Sequence, residues 1–256
     1  MKAVLTVLGS GTSMGVPTIG CPCSVCNSTD PCDRRTRPSV LIEYEGHTVV
    51  IDTTPDFRQQ AIREGLRHLD AVLYTHAHAD HIMGLDDLRP LTFWRDGKIP
   101  LYAYAPVIER LRHIFSYIFE GDYQYGGRAE VLLHEINGPL ELFGACFLPV
   151  AVKHGEDEIH GYRFGSAAYV TDFSEIPEES MAQLVGLDIL FLDALRRRPH
   201  PTHSTLENSV RLVERLQPRR AFFTHISHDL GHQETNRSLP EHVRLAHDGL
   251  ELEFEI

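Results

Sequence analysis

The residues with the densest chemistry lie between Thr75 and His81. The run Thr75-His76-Ala77-His78-Ala79-Asp80-His81 places four metal-binding side chains within six residues. A single ion cannot easily accept all four at proper geometry from so short a segment. Two neighbouring ions can, with His76 and His78 on one and Asp80 and His81 on the other. Imidazole suits Zn²⁺, Mn²⁺ or Fe, and a carboxylate favours the harder ions. Two adjacent cations form a hydrolytic centre, because they stabilise charge on an ester oxygen and acidify a bound water until it can attack as hydroxide near neutral pH.

A second cluster is Cys21-x-Cys23-x-x-Cys26, three thiols within six residues of a Gly- and Pro-containing segment. Thiolates suit tetrahedral Zn²⁺, and a closed structural site needs a fourth ligand. Cys32 is near in sequence, and His228 of Thr224-His225-Ile226-Ser227-His228 is the other candidate.

The elements that must position these groups are short apolar runs punctuated by Gly and Pro. Val4–Leu8 reads as a strand ending in Gly9-Ser10-Gly11, and the segment 12–38 as an irregular Cys-rich loop. Val40–Tyr44 and Thr48–Asp52 read as a hairpin. Pro55–Leu66 and Val107–Phe119 have helical patterns, with strands at Ala71–Thr75 and Leu101–Tyr104. In the second half, strands are expected at Ala145–Val152, Gly161–Phe164, Ala168–Thr171, Ile189–Leu192 and Ala221–Thr224, and a helix at Leu206–Leu216 with Ser204 and Glu207 as its capping box. Leu250, Leu252, Phe254 and Ile256 alternate with Glu as a final half-exposed strand. Several strands end at His76, His154, Asp172, Asp193 or His225, and strand ends on one edge of a sheet can converge on a common site. Hairpins early and strand–helix alternation later predict sheets covered by helices, an α/β layered architecture.

The chain has 256 residues, 42% of them hydrophobic and 23% charged, which suits a globular protein with a sizeable core. No stretch is long and apolar enough for a membrane span, and the N-terminus lacks the features of a secretory signal, so the cytoplasm is the expected compartment. Five cysteines, an odd number, do not suit a secreted disulfide framework. The formal net charge of −12 argues against general nucleic-acid binding, although bound cations can reverse the field locally at a phosphate site.

The His-x-His-x-Asp-His array resembles the signature of the metallo-β-lactamase superfamily. The resemblance implies a four-layer αβ/βα sandwich forming a single hydrolase domain over residues 1–256, with a zinc-binding loop at about 12–38. It also implies three later ligands at strand ends, which fall on His154, Asp172 and His225, with Asp172 bridging. A bridging carboxylate lowers the repulsion between cations held roughly 3.5–4 Å apart. Asp52, at its own strand end, could accept from a ligand His N–H or cap the turn or helix before Thr53-Thr54-Pro55. Gly9-Ser10-Gly11-Thr12-Ser13-x-Gly15-Val16-Pro17, Gly20-Cys21-x-Cys23-x-x-Cys26 and Thr224-His225-Ile226-Ser227-His228 narrow the resemblance to the PhnP-type cyclic phosphodiesterases of the bacterial carbon–phosphorus lyase pathway. That implies a structural zinc on Cys21, Cys23, Cys26 and His228, with Cys32 left free. A similar Cys-containing loop occurs in the pyrroloquinoline quinone synthesis protein, whose relatives can lack a complete metal array, whereas this chain has one.

The expected activity is hydrolysis of a small phosphodiester, cyclic ribosyl phosphate by resemblance, using two Zn or Mn ions plus one structural Zn. Asp80 and His203 are the candidate catalytic residues. The resemblance places a catalytic His in Pro199-His200-Pro201-Thr202-His203-Ser204-Thr205, and His203 fits better than His200 because it directly precedes the helix start. Arg196-Arg197-Arg198 could contact a second phosphate, or be a solvated basic loop. The rivals are a transfer-RNA 3′-processing ribonuclease, which would need a basic arm not seen here, a thioester or lactam hydrolase, and a non-catalytic carrier. A homodimer is a superfamily expectation.

Overall fold

The computed structural model describes residues 1–93, 95–120 and 127–256. In chain order its strands are β1 (Lys2–Gly9), β2 (Ser39–Tyr44), β3 (His47–Ile51), β4 (Ala71–Leu73), β5 (Ile99–Ala103), β6 (Val131–Glu135) and β7 (Leu140–Leu142). They continue as β8 (Ala145–His154), β9 (Asp157–Phe164), β10 (Ala167–Val170), β11 (Ile189–Asp193), β12 (Arg220–Thr224), β13 (Val243–Leu245) and β14 (Glu251–Glu255). The α-helices are α1 (Phe57–Arg63), α2 (Ala79–Ile82), α3 (Ala105–Ile114), α4 (Ser116–Phe119), α5 (Glu178–Gln183), α6 (Leu206–Leu216) and α7 (His232–Ser238).

The strands form two seven-stranded sheets, ordered β14-β1-β2-β3-β4-β5-β6 and β13-β12-β11-β10-β9-β8-β7. Side-chain alternation explains the layering. Along β11, Ile189 and Phe191 face a core shared with Phe147 of β8 and with Leu5, Ile42 and Val49 of the first sheet. Leu190 and Leu192 face the opposite way, into a core with Met181 of α5 and Val213 of α6. The outer face of the first sheet buries Leu41, Val50 and Val72 against Phe57 of α1 and Leu111 of α3. The result is the αβ/βα sandwich expected from the sequence. Strands covered on both faces read as near-continuous apolar runs, and Ile189–Asp193 is buried throughout.

Several expectations need correction. The helical pattern over Val107–Phe119 is broken at Phe115, which leaves helical geometry at φ −105° and ψ 38° and separates α3 from α4. The cap of α6 is Thr205, whose side chain accepts from the N–H of Asn208, and not Ser204. Ser204 instead bonds Ser209, and so ties the loop before α6 to the helix. Strand β9 begins at Asp157, four residues before the expected start, because it forms a long hairpin with β8 that pairs His154 with Asp157. Gly161 lies within it, and a Cβ there would meet the carbonyl oxygen of Tyr169 at 2.7 Å. β7 and β13 have three residues each, and β6, although five long, buries only Val131, so none of the three stands out by pattern.

Strands β10, β11 and β12 are parallel. Their C-terminal ends therefore deliver Asp172, Asp193 and His225 to one pole of the molecule. Of the six non-glycine residues with positive φ among the described residues, three are Asp52, Asp172 and His225, at φ 67°, 58° and 57°. Such left-handed backbone is disfavoured for side chains with a Cβ and concentrates at functional sites. It turns each side chain off the end of its strand toward the same point.

Candidate metal centre

Four groups of potential ligand atoms meet at this pole; two contain His203, with His154 and Asp172 and with Asp193 and His225, and the other two share no residue. His76, His78 and His154 form one, and Asp80, His81, Asp172 and His225 the other; within each group the atoms lie inside 4.8 Å of one another. The partition of the His array matches the one its spacing suggests. Asp172 stands between the groups, with Oδ1 at 3.3 Å from Nε2 of His81, and Oδ2 at 3.1 Å from Nε2 of His225 and 3.9 Å from Nε2 of His76. Asp80 Oδ2 is 3.3 Å from Nε2 of His81 and 3.4 Å from Nε2 of His225.

Asp52 orients two of the imidazoles. Its Oδ2 accepts from Nδ1 of His81 at 2.7 Å and from the Thr75 hydroxyl at 2.8 Å, while Oδ1 accepts from the Thr75 N–H at 2.8 Å. The Thr75 oxygen is in turn 3.0 Å from Nδ1 of His76. With the protons on both Nδ1 atoms, both Nε2 atoms are turned inward as lone-pair donors. This is how outer carboxylates fix the tautomer and direction of metal-binding histidines.

The residues fit divalent cations. The Nε2 atoms of His76 and His81 and the Nδ1 atoms of His154 and His225 are buried without a hydrogen-bond partner. Buried polar atoms are normally paired, so the orphaned nitrogens of His76, His81 and His154 call for a Lewis acid, while His225 turns its other nitrogen, Nε2, to Asp80 and Asp172. The electrostatics agree. Burial alone would raise Asp80 and Asp172, but the neighbouring imidazoles hold both below the usual carboxylate range. Burial likewise opposes charge on His225, yet Asp172, Asp80 and Asp193 push it up to about 9. Burial and the His81 charge hold His76 low. The carboxylates thus draw positive charge into a place that solvent cannot reach.

His203 stands beside this cluster. Its Nδ1 is 2.8 Å from Oδ2 of Asp193 and its ring stacks on His225 at 4.7 Å and 11°. Asp193 is fully buried. The sequence marks it only as a strand end; its pairing with a residue ten positions on depends on the loop's path. His200 lies outside all the ligand groups, and its Nδ1 contacts the Thr202 hydroxyl. The site opens into a cavity of about 330 Å³ lined by Ser13, His78, Asp80, His154, Asp157, Asp172, Thr202, His203 and His225. Asp157 is an addition that no sequence motif flags, and Ser13 and Thr202 lie within the motifs given above without being singled out as site residues. The Arg196–Arg198 run has partners elsewhere: Arg196 bonds the carbonyls of Arg198 and Pro199, Arg197 pairs with Glu207, and Arg198 with Asp229.

The second cluster is separate. Sγ of Cys21, Cys23 and Cys26 lie 3.1, 3.4 and 3.5 Å from Nδ1 of His228. The fourth member is therefore His228, brought from the loop after β12, and Cys32 is outside the group. The Cys26 N–H donates to Sγ of Cys23 at 3.3 Å and holds that thiol down, to about 6, against the opposing effect of burial.

Fold and site together define a metal-dependent hydrolase of the αβ/βα type. The chain belongs to the beta-lactamase superfamily, whose domain model matches residues 47–226. A crystal structure of a diphosphatase of the PhnP family superposes with a TM-score of 0.94 at 62% identity, covering 99% of this chain and 98% of that one. An octanoyltransferase of Porphyromonas gingivalis is 39% identical over 256 residues, 98% of this chain but 51% of that protein. A ribonuclease Z of Clostridium acetobutylicum is 37% identical over 93 residues, 35% of this chain and 29% of that enzyme. The chain thus spans about half or less of the length of these curated relatives. Among the described residues no helix is long and apolar enough to cross a membrane.

Proposed function

We propose that this chain hydrolyses a small phosphodiester or diphosphate ester, with two divalent cations, Zn²⁺ or Mn²⁺, held by His76, His78 and His154 and by Asp80, His81, His225 and the shared Asp172. The observation that carries this reading is Asp172, a buried carboxylate within 4 Å of imidazoles from both ligand groups. Bound there, the cations would supply charge stabilisation at the phosphoryl oxygens and a more acidic water. The protein's own part is positional and protonic. Asp52 and Thr75 hold His76 and His81 in one tautomer. Asp193 holds Nδ1 of His203, which leaves Nε2 to carry the proton that the departing alkoxide needs. A structural zinc on Cys21, Cys23, Cys26 and His228 would pin the loop 12–38 to the loop after β12, in the reducing cytoplasm where thiols persist.

Likeness to a PhnP-family diphosphatase over nearly the full chain supports a phosphate ester as the substrate. A cyclic ribosyl phosphate remains the substrate we favour within that class. Precursor RNA is the alternative raised by the partial likeness to ribonuclease Z. The test is elemental analysis of the purified protein together with a panel of bis(4-nitrophenyl) phosphate, a 2′,3′-cyclic nucleotide, a dinucleotide diphosphate and precursor transfer RNA. About three metals per chain and turnover of the small esters are expected, from one closed site plus one two-metal site. Cleavage confined to precursor RNA, or a protein that binds no metal at these histidines, would refute it.

A further inference from the structure

The first sheet sends one more segment to the metal pole. β1 ends at Gly9, and the chain then runs alongside the residue that follows His225. Gly11 bridges Ile226 in parallel, the Ile226 N–H donates to the Ser10 carbonyl at 3.0 Å, and the Thr12 N–H donates to the Ile226 carbonyl at 3.1 Å. This pairing carries Ser13 to the wall of the cavity at the candidate metal centre.

The turn that presents Ser13 is braced from several sides. The Gly15 N–H closes it on the Thr12 carbonyl at 2.7 Å, with Gly15 at φ +65°. The Ser13 carbonyl accepts from Nε of Arg37 at 3.0 Å, and Arg37 is itself held by Asp56 at 3.0 Å. The Gly15 carbonyl accepts from the Thr18 hydroxyl at 3.2 Å. Ser13 is nevertheless exposed. With its carbonyl taken by Arg37, it has its hydroxyl and its N–H to offer the cavity, and neither has a partner among the described residues.

The other lining residues have tasks of their own. His78, Asp80, His154, Asp172 and His225 belong to the two groups that would hold cations, and His203 is the candidate acid. The Thr202 hydroxyl lies 3.2 Å from Nδ1 of His200. Asp157, as a carboxylate, can only accept. Cations and His203 meet the needs of the reacting phosphoryl group and its departing oxygen. The Ser13 hydroxyl is left for the rest of the substrate.

From this placement we infer that Ser13 is a specificity-determining residue, whose hydroxyl hydrogen-bonds a hydroxyl on the organic part of the ester. The site then favours phosphate esters of sugars or other polyols over esters whose organic part carries no hydroxyl. This rests on the phosphate-ester reading above and names the residue that narrows its substrate class. A serine hydroxyl both donates and accepts, so it can pair with a substrate hydroxyl in either direction. A site that makes such a bond discriminates against the analogue that lacks the hydroxyl. The bracing matters because a turn already in place loses little of that bond to ordering.

The test uses the full-length, metal-loaded protein with Ser13→Ala, which removes the hydroxyl, and Ser13→Thr, which keeps it. Steady-state kinetics compare a 2′,3′-cyclic nucleotide, whose ribose carries a free 5′ hydroxyl, with bis(4-nitrophenyl) phosphate, which carries none. Calorimetry compares binding of ribose 5-phosphate with that of phenyl phosphate, monoesters of equal charge with and without sugar hydroxyls. In Ser13→Ala the preference for the hydroxylated member of each pair is expected to fall by about tenfold, the loss of one hydrogen bond between neutral groups. In the kinetics that loss should lie in KM rather than kcat, and Ser13→Thr should recover much of it. Equal losses on both members of a pair overturn the inference, because Ser13 would then serve the phosphoryl group or the fold. Unchanged preference in Ser13→Ala overturns it as well. If wild type hydrolyses neither ester, the functional reading fails on its own, while the two monoesters still decide the role of Ser13.

Discussion

Asp193 Oδ2 lies 2.8 Å from Nδ1 of His203, and the carboxylate is entirely buried at the end of β11. An ionised carboxylate can only accept, so Nδ1 carries the proton of this bond and Nε2 is the atom left to exchange a proton with a ligand. The arrangement makes His203 the candidate acid and Asp193 the residue that positions it.

A first prediction follows from leaving-group chemistry. General acid catalysis contributes roughly 10²–10⁴-fold where the leaving oxygen needs a proton. His203→Ala should slow hydrolysis of a cyclic nucleotide, which expels an alkoxide, by about 10²-fold or more. Bis(4-nitrophenyl) phosphate expels a stable phenolate and should lose less than about tenfold. Asp193→Asn should follow the same split through a lower kcat with KM and metal content held. Equal losses on both substrates would show that His203 acts on something other than the leaving group.

Asp172→Ala removes the carboxylate placed between the two ligand groups. Elemental analysis should show loss of one or both active-site cations while the metal at the cysteine cluster stays, because no residue is shared between them. Activity should fall by three orders of magnitude or so, as expected where two-metal stabilisation is lost. Full retention of metal and turnover would remove Asp172 from the centre.

Much of this candidate site was legible in the sequence because its members sit where periodicity is interrupted and because the family resemblance pointed to the later ones, His154, Asp172 and His225. His76, His154, Asp172 and His225 each follow an apolar strand, and a side chain at such a boundary is set by the sheet edge. The partition of the His array follows from its spacing alone. What spacing cannot encode is the path of a loop. Asp193 shares the strand-end signature, but its partner His203 is brought back by the turn through Pro199 and Pro201. His228 reaches the cysteines across 202 residues or more, so Cys32 is the nearer candidate by sequence and the wrong one by geometry. Thr205 rather than Ser204 caps α6 because Ser204 is occupied by Ser209 and Asn208. The arginine run at 196–198 illustrates the opposite failure, since a charge cluster in sequence says nothing about the partners that the fold assigns to each member.

Asp248 provides a prediction about stability rather than chemistry. Its side chain is largely buried, and burial raises its carboxyl above the usual range despite its donors and the Arg63 guanidinium at 3.2 Å. Oδ1 accepts from the N–H and hydroxyl of Ser10 at 2.9 and 2.8 Å, and Oδ2 from the N–H and hydroxyl of Thr36 at 2.9 and 2.6 Å. The hydroxyls can rotate to accept from an amide, but a backbone N–H cannot. Asp248→Asn therefore leaves one buried N–H opposite an NH₂ group and should cost about 1–3 kcal/mol in denaturant unfolding. A loss below about 0.5 kcal/mol would mean that water replaces the missing acceptor.

The cysteine cluster allows a test that tells a proposed structural metal from the proposed catalytic pair. Sγ of Cys26 accepts from the N–H of Thr18 at 3.3 Å and the side chain is buried, so Cys26→Ser substitutes a poor zinc ligand without opening a large cavity. Bound zinc should fall by about one per chain, since a closed tetrahedral site needs all four ligands. Because the site joins the loop 12–38 to His228, the melting temperature should fall by several degrees, on the order of 2–4 °C per kcal/mol in a chain of this size. The kcat on small esters, measured well below the new melting temperature, should change far less than in Asp172→Ala. Cys32→Ser, outside the group, should alter neither metal content nor melting temperature. If instead the Cys32 variant lost zinc while the Cys26 variant kept it, the fourth ligand would be reassigned and His228 returned to an ordinary loop histidine.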